Sequence, residues 1–277
     1  MKVLVTGANG YLGQGICREL IKQGITVIGT DFSDEQIEKG CIIKCGNIFE
    51  IKDPYEYFDE PDAIIHLAWR NGFVHNSSTH IEDLPKHYDF LMKFINAGIS
   101  KVAVLGSMHE IGFYEGSIDE STPTNPQSLY GVSKNALRQL IELACNNSKT
   151  NLYWLRGFYI VGNTESGCSI FSKIAQAEKQ GKLSFPFTMG LNQFDFIDYT
   201  MFCKMVVTTI LQLYETGIIN ICSGRPEKLA DRVERFIKDN GYKIKLDYGK
   251  FPDRPYDSKA VWGNSSKIDR IMKKVGD

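Results

Sequence analysis

No stretch of this sequence stays apolar over the roughly 20 residues that a membrane-spanning helix needs, so no span is expected. Charge of one sign is lacking too. The 32 lysines and arginines face 33 aspartates and glutamates, for a formal net charge of −1. A balanced chain without a long basic run offers no grip on nucleic acid or on an acidic membrane surface. The seven cysteines are scattered. The nearest pair, Cys41 and Cys45, does not have the two-residue gap of common zinc and redox motifs. An odd count points to reduced thiols in the cytoplasm, mostly as small buried residues. The histidines show no ligand spacing with Cys, Asp or Glu, so no metal is expected. The start, Met1 to Gly7, runs from a short apolar stretch straight into glycine, unlike a signal peptide. Neither repeat, low-complexity tract nor linker divides the chain.

What is present is an ordinary globular composition, 43% hydrophobic and 23% charged over 277 residues. That length suits one α/β core with a smaller lobe. Short β-branched runs alternate with helical stretches. Strands are expected at 3–6, 26–30, 40–44, 63–68, 102–105 and 152–155, and helices at 11–23, 86–97 and 130–146. Such alternation implies a parallel sheet with helices on both faces. The strand runs are continuously apolar, as a doubly covered sheet requires. After Arg156 the pattern loosens into a polar loop at 162–167, a helix at 170–180 and an aromatic stretch at 182–194. A late strand at 218–221 returns to the sheet, and short elements follow Gly241. The expected fold class is α/β, a Rossmann-type doubly wound parallel sheet with a smaller C-terminal substrate lobe. Residues 1–162 and 191–225 would form the body, and 163–190 and 226–277 the lobe.

Gly7-Ala8-Asn9-Gly10-Tyr11-Leu12-Gly13 lies between the first strand and the first helix. Gly7 allows a tight turn, Gly10 lets backbone N–H groups approach a pyrophosphate, and Gly13 lets the helix pack on the sheet. The helix N-terminus adds a partial positive charge. A glycine triplet alone is weak, but a strand before it and a helix after it place Gly7, Asn9, Gly10, Tyr11, Leu12 and Gly13 against a dinucleotide. Asp31 closes the second strand, where a carboxylate accepts from a ribose 2′-hydroxyl and repels a 2′-phosphate. No arginine follows to compensate, so NAD is favoured over NADP. The plainer alternative for Asp31 is a helix cap or turn acid. Asn47, beside Ile48, is either an adenine contact or a turn residue.

Tyr130 and Lys134 open a predicted helix four residues apart, so they share one face. A free phenol, with a pKa near ~10, is a poor acid–base catalyst at neutral pH. A neighbouring ammonium, with the positive nicotinamide ring when oxidised, is expected to pull it down. Ser107 follows the strand at 102–105, at the carboxyl edge where ligands of a parallel sheet gather. Its hydroxyl suits a carbonyl oxygen held beside the tyrosine. The plainer readings are a solvated lysine and a serine capping a turn.

Together these segments resemble the extended short-chain dehydrogenase/reductase family, whose members act largely on nucleotide-linked sugars. The matching stretches are Thr6–Gly13, Asp31, His66–Ala68, Gly106–Gly112, Tyr130–Lys134, Arg156–Gly162, Phe196–Asp198 and Asn220–Gly224, in the family's order. The resemblance implies that Ser107 orients the substrate, Tyr130 is the acid–base, and Lys134 holds the tyrosine and the nicotinamide ribose. It also implies that Leu67, Ala68, Phe158 and Ile160 line the cofactor. Family members often pair two helices per subunit into a dimer, so a homodimer is the implied assembly.

Departures from the family narrow the reaction. The 4,6-dehydratases have an Asp–Glu pair where this chain has Met108 and His109, so water elimination lacks its acid and base. The 4-epimerases usually carry asparagine where this chain has Tyr159. Phe158–Gly162 and the chain length are more similar to small 4-keto-sugar reductases. Met108-His109-Glu110 resembles those acting on sugars linked to deoxythymidine diphosphate. His109 would bind a sugar hydroxyl, serve as a further acid, or be structural. Arg254, between Pro252 and Pro255, is placed to fork onto a diphosphate, with Lys173 as a second cation and Phe185 and Phe187 beside a nucleobase. A surface ion pair and lobe core are the plainer readings. The expected activity is reduction of a nucleotide-linked 4-keto-6-deoxy sugar. The alternatives are a 4-epimerase that keeps its NAD and a redox-inactive NAD-binding regulator.

Overall fold

A computed structural model describes residues 1–162, 169–252 and 258–274. The chain opens with β1 (Lys2–Thr6), α1 (Tyr11–Lys22), β2 (Thr26–Thr30), β3 (Ile42–Ile43), α2 (Pro54–Tyr57), β4 (Ala63–His66) and α3 (Thr79–Asn96). β5 (Lys101–Ser107), β6 (Gly116–Ile118), α4 (Leu129–Asn146), β7 (Asn151–Gly157) and β8 (Tyr159–Val161) follow. Next come α5 (Ile170–Lys179), β9 (Ser184–Pro186), β10 (Gln193–Asp198), α6 (Tyr199–Leu211) and β11 (Gly217–Ile221). The last elements are β12 (Pro226–Lys228), α7 (Leu229–Asp239), β13 (Lys245–Asp247), β14 (Ala260–Gly263) and α8 (Ser266–Lys274).

Seven parallel strands form the main sheet in the order β11-β7-β5-β4-β1-β2-β3. Alternate side chains of a strand point to opposite faces. Val3 and Val5 therefore meet α1, α6 and α8, through Ile16, Leu20, Val206 and Ile268. Leu4 meets α3 and α4, through Phe90, Phe94, Leu137 and Ile141. Both faces of the central strands are covered, which is why those strands read as unbroken apolar runs. Strand order reverses between β1 and β4, and this switch point opens a crevice at the carboxyl ends of the strands.

A smaller sheet runs β12-β10-β14-β6, with β8 added against β10, and β9 pairs with β13. Its core is aromatic, built on Phe171, Phe187, Phe194, Phe196 and Phe236.

Several elements differ from expectation. α3 begins at Thr79, not 86, and runs through Pro85. Proline removes an interior hydrogen bond and so reads as a helix start. Contacts of the preceding turns, His80 with Trp69 and Asp83 with Arg70, hold them helical instead. α6 is apolar on most sides, with eight of its 13 residues buried, so no polar stripe marks it. α8 lies in the stretch expected to belong to the lobe. It packs on the main sheet because Ile268 and Ile271 bury in that core.

Candidate active site

The glycine loop sits at the switch point. Gly7 adopts φ 70°, and a Cβ there would lie 2.9 Å from the Ala68 nitrogen. A Cβ on Gly13 would lie 2.1 Å from the Gly7 oxygen, so only glycine lets α1 approach this closely. No side chain caps α1 at Gly10, which leaves its first-turn N–H groups for an anion. The Asp31 carboxylate accepts from the backbone nitrogens of Asn9 (3.1 Å) and Phe32 (2.8 Å), which fixes it beside the loop. Asn9 donates to Ser33 Oγ and accepts from the Gln36 nitrogen at 2.7 Å. The Leu67 and Ala68 nitrogens both donate to Thr6 Oγ1 at 3.2 Å, joining the ends of β1 and β4. Leu12 packs on the main core. Tyr11 stacks on Tyr199 at 4.2 Å, and the Tyr199 hydroxyl donates to the Tyr11 carbonyl.

Other expected cofactor contacts are placed differently. The Asn47 amide closes a turn, donating to Glu50 and accepting from the Phe49 nitrogen. Ile48 is buried in the core beneath α3 and α4, and Phe158 in the aromatic core of the smaller sheet. Their side chains fill those cores instead of an open wall, because both are apolar and lose water on burial. Ile160 packs at the edge of the main core.

Ser107, Tyr130 and Lys134 converge at the carboxyl end of β5. The Ser107 nitrogen donates to Glu110 Oε1 at 2.6 Å and its Oγ accepts from the His109 nitrogen, a capping box that fixes the strand end. Ser128 caps α4 by accepting from the Gly131 nitrogen, which sets Tyr130 in the first turn. The Tyr130 nitrogen donates to the His75 carbonyl at 2.8 Å, so the segment after β4 closes this helix end. Burial pushes the Tyr130 phenol up to about 12; a hydrogen bond with Ser107 opposes this and the Glu110 charge reinforces it. Lys134 is only 2% exposed. Its Nζ donates to the Leu105 carbonyl at 2.7 Å and lies 5.9 Å from the Tyr130 ring centre. Burial pulls its ammonium down to about 7, against the Glu110 charge. The ammonium was expected to lower the phenol; in this cleft burial is the largest influence on the phenol and raises it instead.

Around this set lie all five histidines of the sequence. His66 and His87 are buried and hydrogen-bonded to each other at 2.8 Å. His75 stacks on Tyr130, His80 meets its edge, and His109 packs edge-on to His75 at 4.4 Å. Burial pulls His109 down to about 4, so it is neutral. Three of these histidines, His75, His80 and His87, and the neighbouring Trp69 were not singled out from the sequence. They come from a strand end, a connecting segment and a helix, with no common period. Glu110 is fully buried as well, bonded to the Ser107 nitrogen and Trp154 Nε1 and paired with Arg156 at 3.5 Å.

Met108 is buried beside Ser107. Lys173 is exposed on α5. Phe187 is 1% exposed, so its ring belongs to the core of the smaller sheet and not to an open nucleobase wall. Arg254 lies outside the described residues. Among the described residues, no three His, Cys, Asp or Glu side chains are grouped to hold a metal ion. No described helix is long and apolar enough to cross a membrane.

The uncapped start of α1 and the Asp31 carboxylate beside it fit the pyrophosphate and ribose of a dinucleotide. Comparison with known proteins agrees. The chain is 39% identical to a dTDP-6-deoxy-L-talose 4-dehydrogenase (NAD(+)) of Aggregatibacter actinomycetemcomitans over 269 residues, 95% of this chain and 99% of that one. It is 26% identical to an uncharacterized UDP-glucose epimerase of Bacillus subtilis, over 76% of this chain and 72% of that one. Its fold is similar to a solved UDP-N-acetylglucosamine 4-epimerase from Methanobrevibacter ruminantium M1, with TM-score 0.85, 19% identity, and 98% and 91% of the two chains covered. Residues 3–222 match one family along the stretch that holds the glycine loop, Ser107, Tyr130 and Lys134. The chain therefore belongs to the NAD dependent epimerase/dehydratase family and is an NAD-dependent enzyme.

Proposed function

We propose that the protein is a reductase of a 4-keto-6-deoxy sugar linked to deoxythymidine diphosphate, run in reverse as a 4-dehydrogenase. The observation that carries the reading is the convergence of the Tyr130 phenol, the strand-end Ser107 and the buried Lys134 at the carboxyl end of β5. The 39% identity along 99% of a dTDP-6-deoxy-L-talose 4-dehydrogenase supports the substrate class. Bound NAD, when reduced, supplies the hydride that the sugar carbon takes up. Ser107 Oγ holds the ketone oxygen. Tyr130 gives that oxygen its proton, so the C=O bond becomes CH–OH. Lys134 holds the nicotinamide ribose. In this reading Met108 and His109 serve the sugar and Lys173 its diphosphate; Arg254, expected from the sequence for the same role, lies outside the described residues. The dinucleotide belongs to the body (1–162 and 191–225) and the sugar nucleotide to the lobe (163–190 and 226–277), with α8 packed on the body. A homodimer through paired helices is part of the same reading, and light scattering tests it.

The deciding experiment mixes the protein with reduced cofactor and a dTDP-linked 4-keto-6-deoxyhexose. The reading expects one NADH consumed for each ketone reduced. Exchange of C4 epimers without net cofactor use would make it a 4-epimerase instead.

A further inference from the structure

Trp69 takes no part in the reaction just described, yet it lies directly against Lys134. The Lys134 Nζ sits 3.8 Å from the centre of its ring. The indole is also stacked on His87, with centroids 4.5 Å apart and planes at 11°. Its N–H donates to His80 Nδ1 at 3.0 Å. His80 must then carry its proton on Nε2, which donates to the Val74 carbonyl. The indole is thus held by its edge and by its face.

Lys134 is faced by Tyr130 on its own helix, Glu110 after β5, His66 at the end of β4 and His87 on α3. Both histidines are neutral. Thr6 Oγ1 already accepts from Leu67 and Ala68, so its hydroxyl donates to His66 Nδ1, and His66 Nε2 donates to His87 Nδ1. Burial pulls His66 far down and His87 to about 3, in keeping with that order. Glu110, the one anion, is engaged by Ser107, Trp154 and Arg156. Among the described residues, the groups seated directly on the ammonium are the Leu105 carbonyl and the Trp69 ring.

We propose that Trp69 is a positioning residue for Lys134: the negative face of its indole keeps the buried ammonium charged and aimed, leaving an N–H for the cofactor ribose. The inference rests on the role given to Lys134 above and not on the identity of the sugar. An ammonium that titrates at about 7 is shifted across neutral pH by a modest change in stabilisation. A desolvated cation–π contact moves such a midpoint by about one pH unit.

The test is NMR titration of lysine labelled with carbon-13 at Cε, in the protein without cofactor. Trp69→Leu is expected to lower the Lys134 midpoint by about one unit, and Trp69→Phe by about half of that, since benzene binds cations less well than indole. At pH 8, NADH should bind Trp69→Leu about tenfold more weakly than wild type, with the gap closing toward pH 5 as the lysine charges. In a Lys134→Met background, Trp69→Leu should add no further loss. A midpoint unchanged within about 0.2 units in either variant overturns the proposal, and so does an equal loss of NADH affinity in the Lys134→Met background. Trp69→Phe, with its ring retained, carries the test should the leucine variant not fold. The titration uses neither cofactor nor sugar, so its outcome is separate from that of the substrate assignment.

Discussion

Burial pushes the Tyr130 phenol up to about 12, and in the proposed reduction it is the acid that meets the ketone. Tyr130→Phe keeps the ring and removes only the donor. Turnover of the keto sugar should fall by about 10²–10⁴-fold, while NADH affinity by fluorescence titration stays within a factor of about two. A loss under tenfold would remove Tyr130 from the proton transfer. Asp31 is read in the same way. Its carboxylate, fixed by Asn9 and Phe32, stands beside the glycine loop, and as the proposed ribose partner it would oppose a 2′-phosphate. NADH should outcompete NADPH, and Asp31→Ala should narrow the preference; tighter NADPH binding by the wild type would contradict this. The placement of both residues was legible in the sequence because they sit at fixed offsets from a strand end or a helix start. Trp69, His80 and Glu110 were not, because their roles arise from side chains of separate elements meeting in space.

At the level of elements, Asp195 of β10 is the joint between the two sheets. Its buried carboxylate accepts from Ser223 N and Oγ at 2.7 Å, Gly224 N at 2.9 Å and Gly263 N at 3.2 Å. It thereby ties β10 to the residues after β11 and to the end of β14. Asp195→Ala leaves buried donors unpaired, so urea unfolding should show a loss of about 3 kcal/mol or more. A loss under about 1 kcal/mol would mean that water replaces the carboxylate there. The strands of the main sheet were read from their apolar runs, whereas β10 and its partners were only partly marked. Short strands in a mixed sheet, each buried by a different neighbour, leave no common period. α7 is the opposite case. Its Leu229, Val233, Phe236 and Ile237 lie on one face at helical spacing, a signal present in the sequence but not read.

For the whole molecule, the buried histidines set the response to acid. His66, His87 and His109 have folded pKa values far below the ordinary histidine range, His87 at about 3 and His109 at about 4. Between those values and about 6.5 the unfolded chain binds protons that the folded one refuses, so stability rises with pH in that window. It is complete above about 6.5 and lost as pH falls. With about 1.4 kcal/mol per pH unit for each group, His87 and His109 together should remove up to about 3 kcal/mol per unit between pH 6 and 5, and His66 acts in the same direction. Denaturant titrations at pH 7, 6 and 5 check this; equal midpoints would show that the histidines charge without unfolding.

The sequence by itself determined the doubly wound class, the dinucleotide loop and the pairing of Tyr130 with Lys134. Each depends on local geometry, strand and helix periods and glycines at set spacings, which the order of residues specifies directly. Only the tertiary structure decided how those groups behave. It buried Lys134 against Trp69, placed the neutral His66 and His87 beside it, and set Glu110 beneath Ser107. Burial and charge depend on distances between residues remote in the chain, and desolvation, the largest influence on both Tyr130 and Lys134, follows no sequence interval.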